Sequence, residues 1–520
     1  MKKIFNIIIL IFFFVLSSLI FILSTSGYET HKFNEIISSK ITKKNKYISL
    51  QFEKIKFKID FKNISLFLET KNPKLNYQNV SIPIKNIKVY LDFISIIKSK
   101  PKIDKINIIS KEINIDQLKK IIVKTKPSNF NSLVTNKVKN GRLVTDLEIY
   151  FNDNLNINNF IARGQVIDTS VNLIEDLTLN KLSFDFFTDS TDTLIKNIQG
   201  ETPGFLFKKG DLQIKKGNNI NIKSDFITNI NLNKNNIKSY LTYLKKNKYI
   251  NEKIDLKTNL NHNIDITFDD TYKVINYIYN TNGKIDELIY QFSKPIKNNF
   301  FDARINNFTL KDSTFSSRYS SDKNNYIQTN GIYKINDYNF LKYNFKNNFL
   351  PGKSNVDINF EFDQKLNIDF INYSKDVGVI ANIYSNFNID KDLISFKKIK
   401  FQENRNLILV EKLKIDKKNL VSLDKVIVKT FNKGNLNNDF SIDFEKKIKI
   451  YGNKYDALNL GKIINKKSEN NILKKINKEI EINLKNIETS LSKRIKNFNL
   501  IGTIKKGEFV KILSKGDFGD

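Results

Sequence analysis

Apolar and charged residues alternate along many stretches of this chain, and this period of two constrains its fold more than any other feature. In IKFKIDF, residues 55–61, every second residue is apolar and the residues between are lysine or aspartate. Successive side chains of a β-strand point to opposite faces of the sheet, so this segment predicts a strand with one apolar and one charged face. The alternation at Ile48, Leu50 and Phe52 slips in phase at residues 53–54, as a β-bulge would cause.

The same alternation returns several times before residue 110, and short turns separate its segments. Its apolar positions are Leu66, Leu68, Ile87, Val89, Leu91, Phe93, Ile103, Ile106 and Ile108. Strands that follow one another at spacings of about 10–20 residues predict an antiparallel meander. The segment EINIDQLKKIIV, residues 112–123, then passes from a strand to a short helix that turns Leu118, Ile121 and Ile122 inward.

Residues 124–460 continue in this style with more asparagine and fewer apolar residues. The clearest strands there are Val144–Tyr150, Ile220–Ile222, Ile230–Leu232, Leu366–Phe370, Val426–Val428 and Ile442–Ile450. Residues 231–260 and 320–350 are the richest in Asn, Lys and Tyr, and we interpret them as loops or irregular strands.

The C-terminal part combines a helical segment with an alternating one. Ile472 and Ile476 lie one turn apart and predict a helix over about residues 465–479. Residues 480–484 then alternate as in a strand. The chain stops at KGDFGD, where a strand pair is incomplete, so we expect this sequence to be a fragment of a longer protein.

One apolar run, IFNIIILIFFFVLSSLIFIL at residues 4–23, contains no charged residue. As a helix, its roughly 20 residues extend about 30 Å, which matches the hydrocarbon core of a bilayer. We therefore predict a transmembrane anchor formed by Ile4, Phe12, Phe13, Phe14, Leu19, Phe21 and Leu23. The alternative is a cleaved signal peptide, for which Ser24 and Ser26 supply small residues, although the run is longer than the usual signal-peptide core. Lys2 and Lys3 favour an N-terminus inside the cell and the remainder outside.

A second amphipathic segment follows the apolar run. Phe33, Ile36, Ile37 and Ile41 recur at spacings of three and four, which predicts a short helix within residues 28–43. This helix either caps the first sheet or lies on the bilayer surface.

The net charge of +32 raises the question of nucleic-acid binding. Only six of the 86 basic residues are Arg, and the lysines are spread evenly instead of forming a patch. The joint excess of Lys, Asn and Ile is typical of AT-rich coding, so we expect no nucleic-acid partner. A lysine-rich surface still favours anionic lipid headgroups.

Residues that could perform chemistry are scarce. The chain has no Cys, which excludes disulfides, thiolate metal sites and thiol nucleophiles. Its two histidines, His31 and His262, lack the spacing of metal ligands, and GKIINKKS at residues 461–468 lacks the glycines of a phosphate-binding loop. We expect a protein without enzymatic activity, metal or cofactor.

When strands with one apolar face are repeated over hundreds of residues, that face must be shielded from water. A closed sandwich buries that face by stacking two sheets, whereas a sheet curled into a trough leaves it open as a groove. The alternation fits both arrangements. We expect a mainly β fold in which an N-terminal transmembrane helix is followed by a long, curled antiparallel β-sheet groove with a few short helices.

Several segments resemble the AsmA superfamily of Gram-negative envelope proteins, which includes TamB-like and YhdP-like members. The resemblance rests on the anchor and on KIKFKIDFKNISLFL (54–68), VYLDFISIIKSKPKIDKINIISKEINID (89–116), the helix QLKKII (117–122), YGNKYDALNLGKII (451–464) and IKNFNLIGTIKKGEFVKILSKGDFGD (495–520). It covers the two ends of the chain, and the middle matches by pattern alone. The early stop departs from the family and leaves an outer-membrane contact unaccounted for.

The resemblance implies four segments and a location. They are residues 1–27, a cytoplasmic tip and transmembrane anchor; 28–123, a chorein-like β region with short helices; 124–460, an extended β-groove; and 461–520, the start of an AsmA-like C-terminal region. The chain would be a single-pass inner-membrane protein with its bulk in the periplasm. Its groove would bind phospholipid acyl chains and support lipid transport between inner and outer membranes, or outer-membrane biogenesis. The implied partners are phospholipids, the inner membrane and an outer-membrane or periplasmic protein.

The lipid-facing residues would be members of the apolar sets. The candidates are Ile55, Phe57, Ile59, Phe61, Leu66, Leu68, Ile87, Val89, Leu91, Phe93, Ile442, Phe444, Ile448 and Ile450. Ordinary core packing is the alternative role for each of them. The alternative function is a non-catalytic envelope scaffold or outer-membrane protein assembly factor that binds proteins through sheet edges.

Overall fold

The structure is a computed structural model. It describes residues 2–31, 34–44, 47–60, 65–92, 95, 102–152, 154, 156–174, 177–240, 253–297, 304–417, 419–460, 477–490, 494–506 and 508–518. Within these residues the chain is mainly β, with four α-helices, which confirms the predicted fold class in its coarse form. The curling of the sheet into a groove stays a prediction.

The chain forms two compact units. Unit 1 comprises Met1–Asn229 and Asn263–Ile275, and unit 2 comprises Ile230–His262 and Asn276–Asp520. The four-segment division implied by the sequence resemblance stays a prediction.

The four α-helices that the structure describes in full belong to unit 1. They are α1 (Lys2–Ser24), α2 (Asn34–Lys44), α3 (Ile115–Val123) and α4 (Asn129–Lys137). Helix α2 confirms the amphipathic helix predicted after the apolar run, although Phe33 lies outside the described residues. Helix α3 confirms the helix predicted at the end of residues 112–123.

Unit 1 contains thirteen complete strands among its described residues. They are β1 (Tyr28–Thr30), β2 (Ile48–Gln51), β3 (Ile55–Asp60), β4 (Ser65–Lys71), β5 (Lys74–Tyr77), β6 (Val80–Leu91), β7 (Ile103–Ser110), β8 (Ile113–Asn114), β9 (Val138–Phe151), β10 (Ile157–Ile174), β11 (Leu177–Thr188), β12 (Asp192–Thr202) and β13 (Phe205–Lys216). Three further strands contain residues of both units, namely β14 (Ile220–Leu232), β15 (Ile254–Phe268) and β16 (Val274–Ile296). The antiparallel pairing order β1–β3–β4–β6–β7–β9–β10–β11–β12–β13 confirms the predicted meander.

The described strands of unit 2 also pair with antiparallel neighbours, with one exception. They are β17 (Ile305–Ser320), β18 (Asn325–Ile335), β19 (Leu341–Leu350), β20 (Lys353–Phe362), β21 (Leu366–Ile368), β22 (Tyr373–Lys375), β23 (Ala381–Asp390), β24 (Leu393–Glu403), β25 (Asn406–Asp416), β26 (Asn419–Ser422), β27 (Lys425–Asn432), β28 (Asn435–Asp443), β29 (Ile448–Asp456), β30 (Lys478–Glu488), β31 (Arg494–Lys505) and β32 (Glu508–Phe518). Strands β29 and β30 pair in parallel, with Ile448 opposite Ile480. The other strand pairs among the described residues of unit 2 are antiparallel.

In unit 1, the pairing register separates apolar from polar side chains. Residues that face each other on antiparallel neighbours project from the same face of the sheet. One row across seven strands is entirely apolar or aromatic: Tyr28, Phe57, Leu68, Val89, Ile106, Ile149 and Phe160. We call the side to which this row belongs the apolar face of unit 1.

In unit 2, the connection from β20 to β23 folds over the sheet. The strand ends Phe362 and Ala381 pair directly, so residues 363–380 form an insertion, which we call the flap. The flap contains β21, a 3-10 helix at Asp369–Ile371, and β22. Its buried residues Leu366, Ile371 and Tyr373 belong to the same core cluster as Ile442 and Ile448.

Several sequence-based predictions of strands are wrong in detail. Residues 325–335 and 341–350 form regular strands instead of the predicted loops or irregular strands. In β19, Tyr343, Phe345 and Phe349 share one face, and Lys342, Asn344 and Lys346 share the other. Ile220–Ile222 and Ile230–Leu232 are the two ends of β14. The predicted strand Ile442–Ile450 is two strands joined by a turn at residues 444–447.

One predicted strand is shorter in the structure, and several predicted segments lie outside the described residues. Strand β21 ends at Ile368, so Asp369 and Phe370 of the predicted Leu366–Phe370 strand lie in the 3-10 helix. Most of the helix predicted at 465–479 lies outside the described residues, as do Phe61, Phe93 and residues 241–252 of a predicted loop.

Candidate functional site

An apolar cavity of about 450 Å³ lies in unit 1, between the helix pair α3–α4 and the sheet. Ile115, Leu118, Leu133 and Val134 line it on the helix side. Leu143, Val166, Leu182, Phe184, Phe186 and Ile195 line it on the sheet side. Its volume falls within the roughly 300–1,000 Å³ that is usual for small-molecule sites.

Side-chain hydrogen bonds fix the start of both helices above this cavity. Asn114 Oδ1 accepts from the Gln117 backbone N–H at 2.9 Å, and the Gln117 side chain caps Asn114 in return. Ser128 Oγ accepts from the Asn131 backbone N–H at 3.1 Å and starts α4 in the same way. These caps satisfy backbone donors that a helix cannot satisfy internally, so the short helices begin at defined residues.

The sheet wall of the cavity belongs to the apolar face of unit 1. Leu143 and Ile149 are both odd-numbered residues of β9, so their side chains share a face. Leu143 faces Val166, which faces Phe184. The apolar face therefore extends from Tyr28, which follows α1, to the cavity.

Two glycines allow backbone and side chains to approach closely at the cavity. A side-chain carbon on Gly164 would lie 2.0 Å from the Val144 carbonyl oxygen and 3.0 Å from Cζ of Phe186, so the phenyl ring lies across the glycine. Gly141 has φ of +137°, and a side-chain carbon there would lie 2.3 Å from Thr169 Oγ1. Only glycine fits both positions without displacing the strand.

A line of β-bulges crosses the sheet beside the cavity. One residue with positive φ occurs near a register shift in each of β10, β11, β12 and β13: Asp168, Lys181, Asn197 and Lys209. The Asp168 backbone N–H donates to Ser183 Oγ at 3.0 Å, which satisfies a group that the ladder leaves unpaired. Bulges bend strands and increase their twist, so they shape the sheet next to the cavity.

The opposite face of the sheet carries charged side chains that pair with one another. Lys58 lies 3.2 Å from Glu69, and Arg163 lies 3.0 Å from Glu148. Tyr150 donates to Glu148 at 2.6 Å, and this hydrogen bond raises the pKa of Tyr150 to about 12. The two faces therefore differ chemically: one carries ion pairs and hydrogen bonds between polar side chains, and the other is apolar.

The candidate lipid-facing residues of β3, β4 and β6 all lie on the apolar face of unit 1 by register. Phe57, Ile59, Leu66, Leu68, Val89 and Leu91 are half-buried. Ile55 and Ile87 are buried, and Ile87 clusters with Leu50 and Ile84, against which Ile41 of α2 packs. Helix α2 therefore covers part of this face, which agrees with the capping alternative.

None of these candidates lines the cavity, which is formed by residues that the sequence analysis did not select. The one earlier signal was the inward position predicted for Leu118, Ile121 and Ile122 on the helix, of which Ile121 is half-buried. Leu118 lines the cavity, and Ile122 is buried beside it.

The four candidates of unit 2 occupy a packed region. Ile442 and Ile448 are buried members of its main core cluster, and Phe444 and Ile450 pack against it. The flap contributes to the same cluster. Their lipid-facing role stays a prediction, and core packing alone would give the same burial.

The predicted anchor residues all lie on α1. Ile4, Phe12, Phe13, Phe14, Leu19 and Phe21 are exposed, and Leu23 is half-buried. In the part of the chain that the structure describes, this is the one helix long and apolar enough to cross a membrane. The Gly27 N–H donates to the Ile22 carbonyl at 2.8 Å and ends the helix, and β1 starts at the next residue.

Titratable side chains do not gather into a metal site among the described residues. His262 is buried in unit 2, where its Nδ1 lies 2.8 Å from the Tyr279 hydroxyl and its ring stacks on the Tyr279 ring. Burial lowers the pKa of His262.

Comparison with protein-family models, with curated proteins and with solved structures found no match for this chain. The chain is therefore characterised by its own fold and site. It is a mainly β protein with an apolar N-terminal helix and an apolar sheet face that leads to a cavity.

Proposed function

We propose that this chain is a single-pass inner-membrane protein of the AsmA type. Its periplasmic sheet binds phospholipid acyl chains, acts without catalysis, and supports lipid transport between the inner and outer membranes. The observation that carries this proposal is the apolar face of unit 1, which begins at the strand next to α1 and leads to a cavity of about 450 Å³.

The energetics favour an acyl chain as the occupant. Each buried methylene contributes about 0.8 kcal/mol, so about ten methylenes in the cavity would contribute about 8 kcal/mol before ordering costs. Leu143, Val166 and Phe184 offer such a chain apolar contacts, and the charged groups of the opposite face already have partners. The bulges of β10–β13 support a sheet that curls around its apolar side.

Photo-crosslinking tests this function in the full chain. A photoreactive amino acid at Leu182, which lines the cavity, should form phospholipid adducts in membranes. The matched control is Ile161, which faces Glu148 on the charged face and should form few. Adducts at equal yield from both positions, or none at Leu182, would contradict the proposal.

A cavity-filling variant sharpens the test. Val166→Phe adds a phenyl ring to the cavity wall and should abolish the adducts at Leu182 while the protein remains folded. Val421→Phe is the same substitution at an exposed valine of β26 in unit 2 and should leave them unchanged. Unfolding by Val166→Phe would instead indicate that the cavity is a tight core.

One observation favours the second candidate function, an envelope scaffold. Strand β32 pairs with β31 alone among the described residues, and the side chains of Leu513 and Phe518 are 76% and 68% exposed. Such an edge can accept a strand, either from the longer chain expected here or from another protein. Crosslinking at Leu513 that captured an outer-membrane protein, together with no lipid at Leu182, would favour the scaffold.

A further inference from the structure

The helix pair α3–α4 carries a concentration of positive charge. Residues 117–139 contain no carboxylate, and their lysines are Lys119, Lys120, Lys124, Lys126, Lys137 and Lys139. All except Lys119, which is half-buried, are exposed. This concentration is local, whereas the lysines of the chain as a whole are spread evenly.

These six lysines form no ion pair within the described part of the chain, whereas Lys58 and Lys105 on the sheet pair with Glu69 and Glu148. Asp116 lies one turn before Lys120 and does not pair with it. The positive charge of this surface is therefore available to an external anionic partner.

Exposed apolar side chains lie among these lysines. Val123 of α3 is 66% exposed and lies between Lys120 and Lys124. Leu133 of α4 is 52% exposed, lines the cavity, and precedes Lys137 by one turn. Apolar residues flanked by lysines are typical of helices that lie in a membrane interface, because the lysine stems extend along the apolar layer and their ammonium groups reach the phosphates.

We propose that the α3–α4 surface docks on an anionic phospholipid bilayer and gives unit 1 a membrane contact separate from α1. Lysine near an anionic leaflet gains attraction, and Val123 and Leu133 enter the headgroup layer. The surface favours a bilayer over nucleic acid because residues 117–139 contain no Arg, the residue that makes most bidentate contacts to bases and phosphates. The proposal does not depend on lipid binding inside the cavity.

The consequence concerns access to the cavity. Because Leu133 is both exposed and part of the cavity lining, docking would place one wall of the cavity at the bilayer surface. An acyl chain leaving that bilayer would meet Leu133 and Val134 without crossing water.

Vesicle flotation tests the docking with the full chain. The protein is held by α1 in phosphatidylcholine nanodiscs and mixed with vesicles of phosphatidylcholine that contain or lack phosphatidylglycerol. We expect co-flotation with the anionic vesicles only, and a loss as salt is raised. Lys120→Gln, Lys124→Gln and Lys137→Gln together should weaken it about a hundred-fold, at about five-fold per lysine.

The matched control removes the same charge from exposed lysines of β13. Lys208→Gln, Lys215→Gln and Lys216→Gln together should leave co-flotation within about two-fold of the parent, since these exposed lysines belong to a strand outside the α3–α4 surface. Equal losses in both triple variants, equal binding to neutral vesicles, or displacement of the vesicles by RNA would overturn the proposal. Loss of lipid adducts at Leu182 with co-flotation intact would reject only the cavity function.

Discussion

At the residue scale, Glu69 shows how the charged face of unit 1 is stabilised from within. Its side chain is only 9% exposed, accepts from Asn86 Nδ2 at 2.8 Å, and lies 3.2 Å from Lys58 Nζ. Burial by itself raises the pKa of Glu69, but the hydrogen bonds from Asn86 and Lys58 together hold it below its ordinary value of 4.5. The carboxylate is therefore favoured in the folded state.

We expect Glu69→Gln to lower the free energy of unfolding at pH 7 by about 1–3 kcal/mol, because a hydrogen bond to a buried charged group is worth about that much. The lowered pKa means that this stability is fully present above pH 4.5 and is lost as the pH falls through the folded-state value. Denaturant unfolding of parent and variant should thus differ at pH 7 and converge in acid. Glu29→Gln, an exposed partner of Lys56, should change much less. A pH-independent difference would refute the role of the charge.

Asn438 has the corresponding role in unit 2, where it attaches the flap to the sheet. Its side chain is fully buried, and Nδ2 donates to the Ile371 carbonyl at 2.7 Å and to Thr430 Oγ1 at 2.8 Å. Its Oδ1 accepts from the Asp456 N–H at 2.9 Å. Three hydrogen bonds thus meet at one side chain.

We expect Asn438→Ala to lower the free energy of unfolding by at least about 2 kcal/mol, since it leaves buried partners unsatisfied. Asn453→Ala removes a single exposed hydrogen bond to Asp439 and serves as the control, with a much smaller expected change. Limited proteolysis should also cut residues 363–380 faster in Asn438→Ala. Equal stability of the two variants would show that the flap is held by apolar packing alone.

At the element scale, the sequence predicted the strands and helices that form from their own side-chain pattern. The alternation at residues 55–60 predicted β3, and the spacing of Leu118 and Ile122 predicted α3, because each needs only its own side-chain period. The strands at 325–335 and 341–350 were predicted only as loops or irregular strands because they are rich in Asn and Lys, which weakens the β signal. The parallel pairing of β29 with β30 depends on a long-range contact that no local pattern encodes.

The cap of α3 is the element whose loss should affect the site most directly. Asn114→Ala removes the capping box with Gln117 and should destabilise the helix by about 1 kcal/mol. Because α3 forms one side of the cavity, we expect lipid adducts at Leu182 to fall along with the thermal midpoint. Asn114→Ser retains a capping oxygen and should preserve both. Unchanged adducts in Asn114→Ala would mean that α3 does not enclose the site.

At the scale of the whole molecule, the sequence predicted the apolar face of unit 1 but not its cavity. The face follows from the alternation of Phe57, Leu68 and Val89, which register then aligns. The cavity wall adjoins Gly164, across which the Phe186 ring lies, and the bulge at Asp168, which precedes the lining residue Thr169. Apolar periodicity predicts neither position. In one amino-acid sequence taken alone, no pattern distinguishes such positions from ordinary strand residues.

Helix α1 is the one helix in the described part of the chain that is long and apolar enough to cross a membrane, and the prediction at this scale concerns membrane attachment. Phe13→Arg and Phe14→Arg place two charges near the middle of α1, each costing about 2.5–3.5 kcal/mol at the centre of a bilayer. We expect alkaline extraction to release the double variant, while the parent and a Phe13→Leu, Phe14→Leu control remain in the membrane fraction. Recovery of the parent chain without its first residues, cleaved near Ser26, would contradict a permanent anchor and identify α1 as a signal sequence.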